Sequence, residues 1–391
     1  MLPHATVRPL RIAVLGTRGV PSSYSGIERV CETLYAVLAQ RGHQVTVYCQ
    51  QTAGPDEPVR HRGIHRRVVR APRHRALETL AHTGVSLGHA IARGRYDLLH
   101  FHALAPCLFT PLAGIAGIPT VATVHGLDWQ RAKWRGLAAR VIRLAEQAMV
   151  RHAGEIICVS EALSAYYHER YGRPTTYVPN GIEIDPCPVL DDSVLDRFGL
   201  RADRYVTFIG RLVPEKRVQD LIVAFGRLNH PGLRLAIVGD ARHSAAYAEQ
   251  LKLLVGGSDR VVFTGPQTGP ALASLFARAA VYVSASELEG MPKAVLEAIG
   301  YGTPVVLSDI PAHRELLAGV DGARLVAPGD VDGLIKNLRA VLAAAEHHRS
   351  VAAQARERAA RRYAWASIAD ATEAVYQRLL ARRSQPTPDR G

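Results

Sequence analysis

The sequence lacks the features of secreted, metal-binding and membrane-spanning chains. Its five cysteines are an odd number, are widely spaced and form no CxxC pair, so neither a disulfide framework nor a zinc site is expected and a reducing compartment is indicated. The amino terminus has no apolar core of the kind that signal peptides carry, so we expect a cytoplasmic protein. The longest apolar stretch, residues 103–118, contains two prolines and is too short to span a bilayer, which predicts a buried strand-to-helix segment.

Basic residues exceed acidic ones, and the excess is concentrated. The formal net charge is +13, and residues 59–75 alone hold seven arginines and three histidines. An anionic membrane surface, a diphosphate-linked acceptor and nucleic acid would each satisfy this charge, and so would the solvent around a basic loop. We expect no nucleic-acid partner, because the sequence offers no nucleic-acid-binding motif and no aromatic platform. A membrane contact would make the protein peripheral on the inner face of the cytoplasmic membrane.

The predicted fold class is α/β, with two doubly wound parallel sheets. Apolar runs of strand length alternate with segments of helical spacing, and parallel neighbours need such crossover helices. A chain of 391 residues is also long for one core. The predicted strands are RIAVLG, QVTVYC, DLLHFH, TVATVH and EIICVS in the first half and YVTFIG, LRLAIVG, RVVFTG, AVYVSAS and TPVVLSD in the second.

The predicted domain boundary lies in the proline-rich stretch 174–188. We expect a first domain over 1–185, a second over 186–365, a helix over 366–383 that packs back on the first domain, and a disordered tail over 384–391. Two Rossmann-like domains would then face each other across a cleft. Ligands bind such sheets beyond the carboxyl ends of the strands.

The most informative segment, residues 284–316, contains two glutamates separated by seven residues. Glu289 follows a strand, and Glu297 lies in a helix that we expect to begin near Met291, about 9 Å further along the helix axis. One ligand could then contact Glu297 through a ribose and Glu289 through a sugar, and unpaired amides at the helix start would meet it too. The alternative is two solvated carboxylates. The other candidate residues of this segment are Gly290, Met291, Pro292 and Lys293.

A basic pair follows an earlier strand of the same half. Arg211 comes just after the strand YVTFIG, and Lys216 comes five residues later, before a helix expected to begin near Val218. Arginine offers a planar fork for two phosphate oxygens and lysine adds a movable point charge, so the pair could neutralise a diphosphate without Mg²⁺. Solvated cations flanking a turn are the alternative.

Two further candidates lie in the first half. Gly16, Ser25 and Gly26 belong to a long loop between the first strand and a helix, where glycine lets backbone approach a ligand. The spacing is not GxGxxG, which disfavours a dinucleotide cofactor. His125 ends the strand TVATVH and could bind a sugar hydroxyl there, although a structural histidine fits the position equally well.

With these residues identified, the chain resembles glycosyltransferase family 4 over nearly its whole length. EGMPKAVLE with the following GTPVVLSD is similar to the paired-glutamate motif of that family, and GRLVPEK is similar to its Arg-Lys diphosphate clamp. The opening GTRGVPSSYSGIE and the run HGLDWQRAKW resemble a bacterial branch that includes rhamnosyltransferases of cell-surface polysaccharide assembly.

The resemblance implies the GT-B fold and a retaining transfer from a nucleoside-diphosphate sugar to a glycan or polyprenyl-diphosphate-linked acceptor. It implies a donor site with Arg211, Lys216, Glu289 and Glu297, and it places His125 near the reacting sugar. The nucleotide would leave from the front face without a covalent nucleophile, so Glu289 would orient and stabilise charge. No metal and no other cofactor are expected, since the pair Asp191-Asp192 is not a DxD site.

Two positions depart from the family pattern. Ser25 precedes Gly26 where relatives often have two glycines, which could alter how backbone approaches the donor or acceptor. Arg217 stands where relatives often have glycine, and we expect it to face solvent at the start of the helix.

Two rival functions share some of these features. A nucleotide-sugar epimerase binds the same kind of donor between similar domains but uses no acceptor. A non-catalytic basic protein could dock on membranes through residues 59–75 and 131–151, where arginines follow a helical pattern. We favour membrane contact as an accessory to catalysis.

Overall fold

Two compact units make up the chain. Unit 1 comprises the residues up to Gly181 together with those from Trp365 onward, and unit 2 is Ile182–Ala364. Unit 2 thus begins four residues before the expected boundary at 186. The computed structural model describes residues 8–22, 26–51, 59–72, 78–131, 134, 136–185, 187–241 and 244–384.

Unit 1 is built on an eight-stranded sheet in the order β3-β4-β2-β1-β5-β6-β7-β8. Every neighbouring pair is parallel except β3 and β4, which form an antiparallel hairpin at the edge. The strands are β1 (Arg11–Leu15), β2 (Gln44–Gln50), β3 (Arg60–His61), β4 (Ile64–Val69), β5 (Leu98–His102), β6 (Thr120–Val124), β7 (Glu155–Cys158) and β8 (Thr176–Tyr177). The helices before unit 2 are α1 (Gly26–Gln40), α2 (Glu78–Arg93), α3 (Thr110–Ile115), α4 (Leu137–His152) and α5 (Glu161–Tyr171).

Unit 2 carries a six-stranded, wholly parallel sheet in the order β11-β10-β9-β12-β13-β14. The strands are β9 (Tyr205–Ile209), β10 (Arg234–Val238), β11 (Val261–Gly265), β12 (Val281–Ser284), β13 (Val305–Ser308) and β14 (Arg324–Val326). Its helices are α6 (Ser193–Arg197), α7 (Val218–Leu228), α8 (Ala245–Val255), α9 (Gly269–Ala277), α10 (Lys293–Gly300), α11 (Pro311–Leu316), α12 (Val331–Ala343) and α13 (Ala345–Arg362). All ten predicted strands are present.

The last helix, α14 (Trp365–Ser384), belongs to unit 1. Its apolar face, including Tyr376 and Leu379, joins the core formed by β1, β2 and α1. Arg41 at the end of α1 adds ion pairs of 2.7 Å with Asp370 and Glu373. Burying each large apolar side chain contributes about 1.5–3 kcal/mol, so this helix is an integral part of the unit 1 core. Residues 385–391, most of the expected disordered tail, lie outside the described residues.

The basic run and the proline-rich stretch both contain strands that the sequence pattern did not reveal. Residues 60–69 form the β3–β4 hairpin rather than a loop, with Ile64 and Val69 buried. His65, Arg66 and Arg67 lie between those two together with an exposed Val68, so the alternation expected of a strand is hidden. Such charges are typical of strands at the edge of a sheet. The proline-rich stretch holds β8, which pairs with β7 at the other edge.

Candidate active site

The strand orders of the two units place their candidate residues at comparable points. In unit 2 the first strand, β9, lies beside the fourth, β12, and in unit 1 β1 lies beside β5 in the same way. Chain connections leave in opposite directions on the two sides of such a junction, which opens a crevice at the carboxyl ends of the strands. Arg211 and Lys216 follow β9, and Glu289 follows β12. Topology therefore brings these two loops of unit 2 to the same junction.

In unit 2 the loops after β9 and β12 are joined directly. The Lys216 Nζ atom donates to Glu289 Oε1 in a short ion pair, with the two side chains 18% and 11% exposed. The backbone N–H of Glu287 donates to the carbonyl of Glu215 at 3.0 Å, so the loops are also linked through their main chains. A basic and an acidic candidate from segments 73 residues apart thus form one largely buried pair.

The surroundings of Glu289 favour its ionised form. Burial by itself would raise the pKa of this carboxyl, but attraction to Lys216 and His313 and hydrogen bonds from Lys216 and Ser286 outweigh it and lower the pKa. A carboxylate that accepts such bonds stays charged in a site from which water is largely excluded. Glu289 is therefore an anion held in place before any ligand binds.

Ser286, Ser308 and His313 support this carboxylate, and the sequence reasoning missed all three. The Ser308 hydroxyl donates to the carbonyl of Ser286, and His313 Nδ1 lies 2.8 Å from the Ser308 carbonyl and 3.1 Å from its hydroxyl. The Ser308 carbonyl can only accept, so His313 carries a proton on Nδ1 and donates it there. Burial lowers the pKa of His313, although the negative charge of Glu289 acts in the opposite direction. Two serines with one residue between them ahead of Glu289 were the available sequence signal.

Helix α10 begins at Lys293, two residues later than expected. Pro292 is the N-cap in an extended conformation (φ −76°, ψ 106°), and a proline also disfavours helical geometry at the residue before it, here Met291. Glu297 therefore lies about 6 Å along the axis from the first helical residue, not 9 Å. Its Oε1 atom accepts from Lys293 Nζ at 2.8 Å, one turn earlier in the helix.

The two glutamates approach one buried phenol. Burial raises the pKa of Tyr282 well above its usual range, and the negative charges of Glu289 and Glu297 raise it further. Tyr282 belongs to β12, and its hydroxyl donates to the carbonyl of Ile209 at the end of β9 at 3.4 Å. Both carboxylates therefore lie near the junction of β9 and β12.

Arg211 and Arg217 have different environments. Arg211 is half-buried and lies two residues beyond the end of β9. Arg217 does not simply face solvent as expected: its side chain is 28% exposed and donates to Asp220 at 2.6 Å and to Glu287 at 3.2 Å. Its backbone is left-handed (φ 49°), a conformation that glycine adopts without strain.

The glycine-rich loop of unit 1 fits closely against its own unit. A side chain at Gly16 (φ 90°) would lie 2.5 Å from the carbonyl oxygen of His102, and one at Gly19 would lie 2.7 Å from Cys49. Glycine at these two positions therefore permits internal packing, whatever else approaches the loop. Gly26 is the exposed first residue of α1, and Ser25 lies outside the described residues.

His125 directly follows β6 and takes part in a buried chain of side chains that the sequence did not reveal. Its Nε2 atom lies 3.0 Å from His102 Nδ1, and the His102 Nε2 atom lies 2.6 Å from the hydroxyl of Tyr35. Burial lowers the pKa of His125 to about 4, although Asp128 acts in the opposite direction. His125 is therefore neutral near pH 7. An H-x-H pair at the end of β5, His100 and His102, was the available sequence signal.

Neither a metal cluster nor a membrane-spanning helix is found in the part of the chain that the structure describes. There, no group of three or more histidine, cysteine, aspartate or glutamate side chains is arranged to hold a metal ion. Within the same ranges, every helix is too short or too polar to cross a bilayer.

Two family models match the chain in succession. The model named Glycosyltransferase Family 4 matches residues 24–186, and the model named Glycosyl transferases group 1 matches residues 197–358. The MMP alpha-(1->4)-mannosyltransferase of Mycolicibacterium hassiacum is 31% identical over 306 residues, which cover 74% of this chain and 72% of that relative. The chain belongs to glycosyltransferase family 4.

The chain is also similar to other glycosyltransferases and to solved structures. The glycogen synthase of Mycobacterium tuberculosis is 28% identical over 424 aligned positions, 97% of each chain. The crystal structure of Anabaena HepE in complex with UDP-glucose superposes with a TM-score of 0.78 at 21% identity and covers 94% of this chain and 100% of that one. The fold is therefore GT-B, as the resemblance implied. These relatives give no support to the narrower resemblance to rhamnosyltransferases, and they favour neither an epimerase nor a non-catalytic protein.

Proposed function

We propose that this glycosyltransferase moves a sugar from a nucleoside-diphosphate sugar, with retention and without a metal ion, to a glycan or polyprenyl-diphosphate-linked acceptor of a bacterial cell-surface polysaccharide. The observation that carries the proposal is the largely buried Lys216–Glu289 pair at the carboxyl ends of β9 and β12. A cation held in that crevice meets the main electrostatic need of the reaction, since the leaving nucleotide gains negative charge on its diphosphate.

Lys216 and Arg211 are proposed to bind that diphosphate. Glu289 holds the Lys216 ammonium in position before the donor arrives, so little reorganisation is needed at the moment of reaction. Removing one preorganised donor of this kind costs about 3–4 kcal/mol of transition-state stabilisation. The arginine fork supplies geometry and the lysine supplies charge, and together they take the place that Mg²⁺ has in other transferases.

Glu289 and Glu297 are proposed to contact the two ends of the donor, the transferred sugar and the ribose. Charged oxygens that accept from sugar hydroxyls fix the ring without covalent attachment, which suits front-face departure of the nucleotide. The N–H groups at the start of α10 carry a partial positive charge and favour the anionic part of the donor. The further donor contacts proposed are Gly16, Ser25, Gly26, Gly290, Met291, Pro292 and Lys293.

His125 is proposed to contact the transferred sugar. A neutral imidazole can bond a sugar hydroxyl without placing positive charge beside it, and the lowered pKa of His125 keeps the ring neutral at the pH of the cell. An imidazolium at this point would repel the positive charge that develops on the sugar as the bond to the nucleotide breaks, and so would destabilise the transition state. Burial of His125 therefore serves the reaction.

An anionic membrane surface is the proposed site at which a lipid-linked acceptor is met, through the β3–β4 hairpin. Part of the hairpin's charge is used internally: His61 Nε2 pairs with Glu32 at 2.5 Å, and Arg66 Nε donates to the carbonyl of Val20 at 2.5 Å. Arg67 and Arg70 are exposed. Near an anionic surface each arginine contributes about 1 kcal/mol.

Donor binding by the Lys216–Glu289 pair can be tested on the protein alone. A panel of nucleoside-diphosphate sugars should contain at least one that raises the melting temperature, and Lys216→Met should remove that shift. Lys252→Met is the matched control, since Lys252 pairs with Glu249 at 2.8 Å on α8 with both side chains more than half exposed. Equal shifts in the two variants would reject the site.

A chelator should leave the rate of sugar transfer unchanged, and a sharp loss of activity would reject the metal-free reaction.

The membrane contact is tested with anionic vesicles at low and high salt. Arg67→Glu/Arg70→Glu should weaken sedimentation with phosphatidylglycerol vesicles at low salt, because surface attraction is screened beyond about 10 Å at 0.1 M salt. Lys336→Glu/Arg339→Glu makes the same charge change on exposed positions of α12. Equal sedimentation of the two variants would show that the hairpin does not bind the membrane.

A further inference from the structure

Five buried side chains of unit 1 form a continuous hydrogen-bonded chain that begins at His125. The first link joins His125 Nε2 to His102 Nδ1 at 3.0 Å, and the second joins His102 Nε2 to the Tyr35 hydroxyl at 2.6 Å. The Tyr35 hydroxyl then lies 2.8 Å from His100 Nδ1, which is also 2.7 Å from the hydroxyl of Tyr376. The chain thus runs from the end of β6 through β5 and α1 to α14.

The chain is enclosed by the protein and its rings are closely packed. His125 is 9% exposed, and His102, Tyr35, His100 and Tyr376 are each 1% exposed or less. The His100 and His102 rings stack with centroids 4.4 Å apart, and those of His102 and His125 stack at 5.3 Å. Hydrogen bonds in such a setting are strong, and a break anywhere leaves a costly unpaired group.

All three histidines are neutral, so each ring carries a single N–H. Burial lowers the pKa of His100 to about 3 and that of His125 to about 4, and it lowers the pKa of His102 well below its usual value. A neutral ring donates from one nitrogen and accepts at the other. His102 therefore donates either to His125 or to Tyr35, never to both.

This single choice sets the tautomer of His125. If the Tyr35 hydroxyl donates to His102 Nε2, His102 Nδ1–H must donate to His125 Nε2, and the proton of His125 lies on Nδ1. If His102 instead donates from Nε2 to Tyr35, its Nδ1 accepts from His125, so the proton of His125 lies on Nε2 and the Nδ1 atom of His125 is an acceptor. The Thr123 hydroxyl lies 2.7 Å from His100 Nε2, so both nitrogens of the His100 ring have partners within the protein.

We propose that His102 and Tyr35 are positioning residues for glycosyl transfer: through their hydrogen bonds they hold His125 in one tautomer and one ring orientation for contact with the transferred sugar. The inference rests on the proposed role of His125. The partner of one ring nitrogen fixes which atom the other nitrogen offers to a substrate. Tyr35 lies one residue further from the sugar than His102 and acts only through it.

The decisive experiment compares two tyrosine variants. Tyr35→Phe removes the hydroxyl that orders the chain, whereas Tyr48→Phe removes a buried hydroxyl of the same unit that bonds His89 Nδ1 at 3.0 Å. We expect Tyr35→Phe to lower kcat by about tenfold with the donor KM unchanged, and Tyr48→Phe to leave kcat near wild type. In histidine-labelled protein, the ¹⁵N spectrum of His125 should show one neutral tautomer in the wild type and a mixture in Tyr35→Phe.

Two variants at His102 separate the two links. Asparagine reaches about as far as Nδ1 and keeps the bond to His125, whereas glutamine reaches as far as Nε2 and keeps only the bond to Tyr35. His102→Asn should therefore retain more activity than His102→Gln, while a merely structural role would affect both alike.

The outcomes that overturn the inference are distinct from those that overturn the proposed function. Wild-type kcat and an unchanged His125 spectrum in Tyr35→Phe would refute the positioning role. If Tyr35→Phe does not fold, two exchanging tautomers or an imidazolium at His125 in the wild type near pH 7 would refute it equally. Undiminished transfer by His125→Ala would instead refute the role of His125 itself, which the spectra do not address.

Discussion

Mild acid should destabilise unit 1, because three of its buried histidines stay neutral in the folded state. The unfolded chain binds a proton at each histidine near pH 6.5. In the fold the pKa of His125 is lowered to about 4, that of His100 to about 3 and that of His102 well below its usual value. Stability from these groups is therefore fully present above pH 6.5 and is lost as the pH falls toward 4.

The magnitude follows from proton linkage. Between pH 6 and pH 5 the unfolded state holds nearly three more protons than the folded state, and each costs about 1.4 kcal/mol per pH unit. The free energy of unfolding of unit 1 should therefore fall by about 3–4 kcal/mol over that interval. That is a large share of the 5–15 kcal/mol typical of a folded domain.

Tryptophan fluorescence isolates this effect, since Trp129, Trp134 and Trp365, the three tryptophans of the chain, all belong to unit 1. Urea unfolding at pH 7, 6 and 5 gives the free energy at each pH. His100→Gln should reduce the slope against pH by about 1 kcal/mol per pH unit. His168→Gln, at an exposed position of α5, should leave it unchanged. Identical slopes for the wild type and His100→Gln would show that the fold does not keep His100 neutral.

Three further changes have defined outcomes in urea unfolding and donor titration. Gly16→Ala forces a side chain to 2.5 Å from a backbone oxygen and should lower the free energy of unfolding by more than about 2 kcal/mol. Gly42 also has a positive φ but has nothing within 4 Å, so Gly42→Ala should lose only the backbone strain of about 1–2 kcal/mol. Equal losses in the two variants would show that close packing does not require glycine at position 16. Arg217→Gly relieves the strain of a left-handed backbone but removes two partly exposed ion pairs. The two effects offset each other, so the free energy of unfolding should change by less than about 1 kcal/mol. A larger loss would show that the ion pairs stabilise the fold more than exposed pairs usually do. Ser286→Ala should raise the pKa of Glu289 and weaken donor binding by up to about tenfold; unchanged binding would remove Ser286 from the site.

Local sequence signals were sufficient for ten of the fourteen described strands and for the strand ends at which the candidate residues lie; the short strands β3, β8 and β14 and the charged β4 gave no such signal. Each unit repeats the alternation of apolar run and amphipathic helix, so Arg211, Lys216 and Glu289 could be placed after their strands by pattern alone. The order of the strands in the sheet could not be predicted from such local patterns. That β9 lies beside β12 depends on packing over the whole unit, and only this order brings Lys216 to Glu289.

The buried polar chain shows the limit of reasoning from one sequence. His100 and His102 alternate along β5, which is compatible with one face of any strand. Their partners come from α1, β6 and α14, up to 276 residues away, and no local pattern encodes that meeting. The start of α10 was misplaced for a simpler reason, since Pro292 in an extended conformation delays the helix by two residues.

The Lys216–Glu289 pair is proposed to act as one unit in sugar transfer, and a double-mutant cycle on kcat/KM measures that coupling. Lys216→Met and Glu289→Gln should each lower kcat/KM by about a hundredfold or more, and the double variant should lose little beyond the worse single one, because the two side chains are coupled. Single variants that both stay within about threefold of wild type would show that the pair takes no part in sugar transfer.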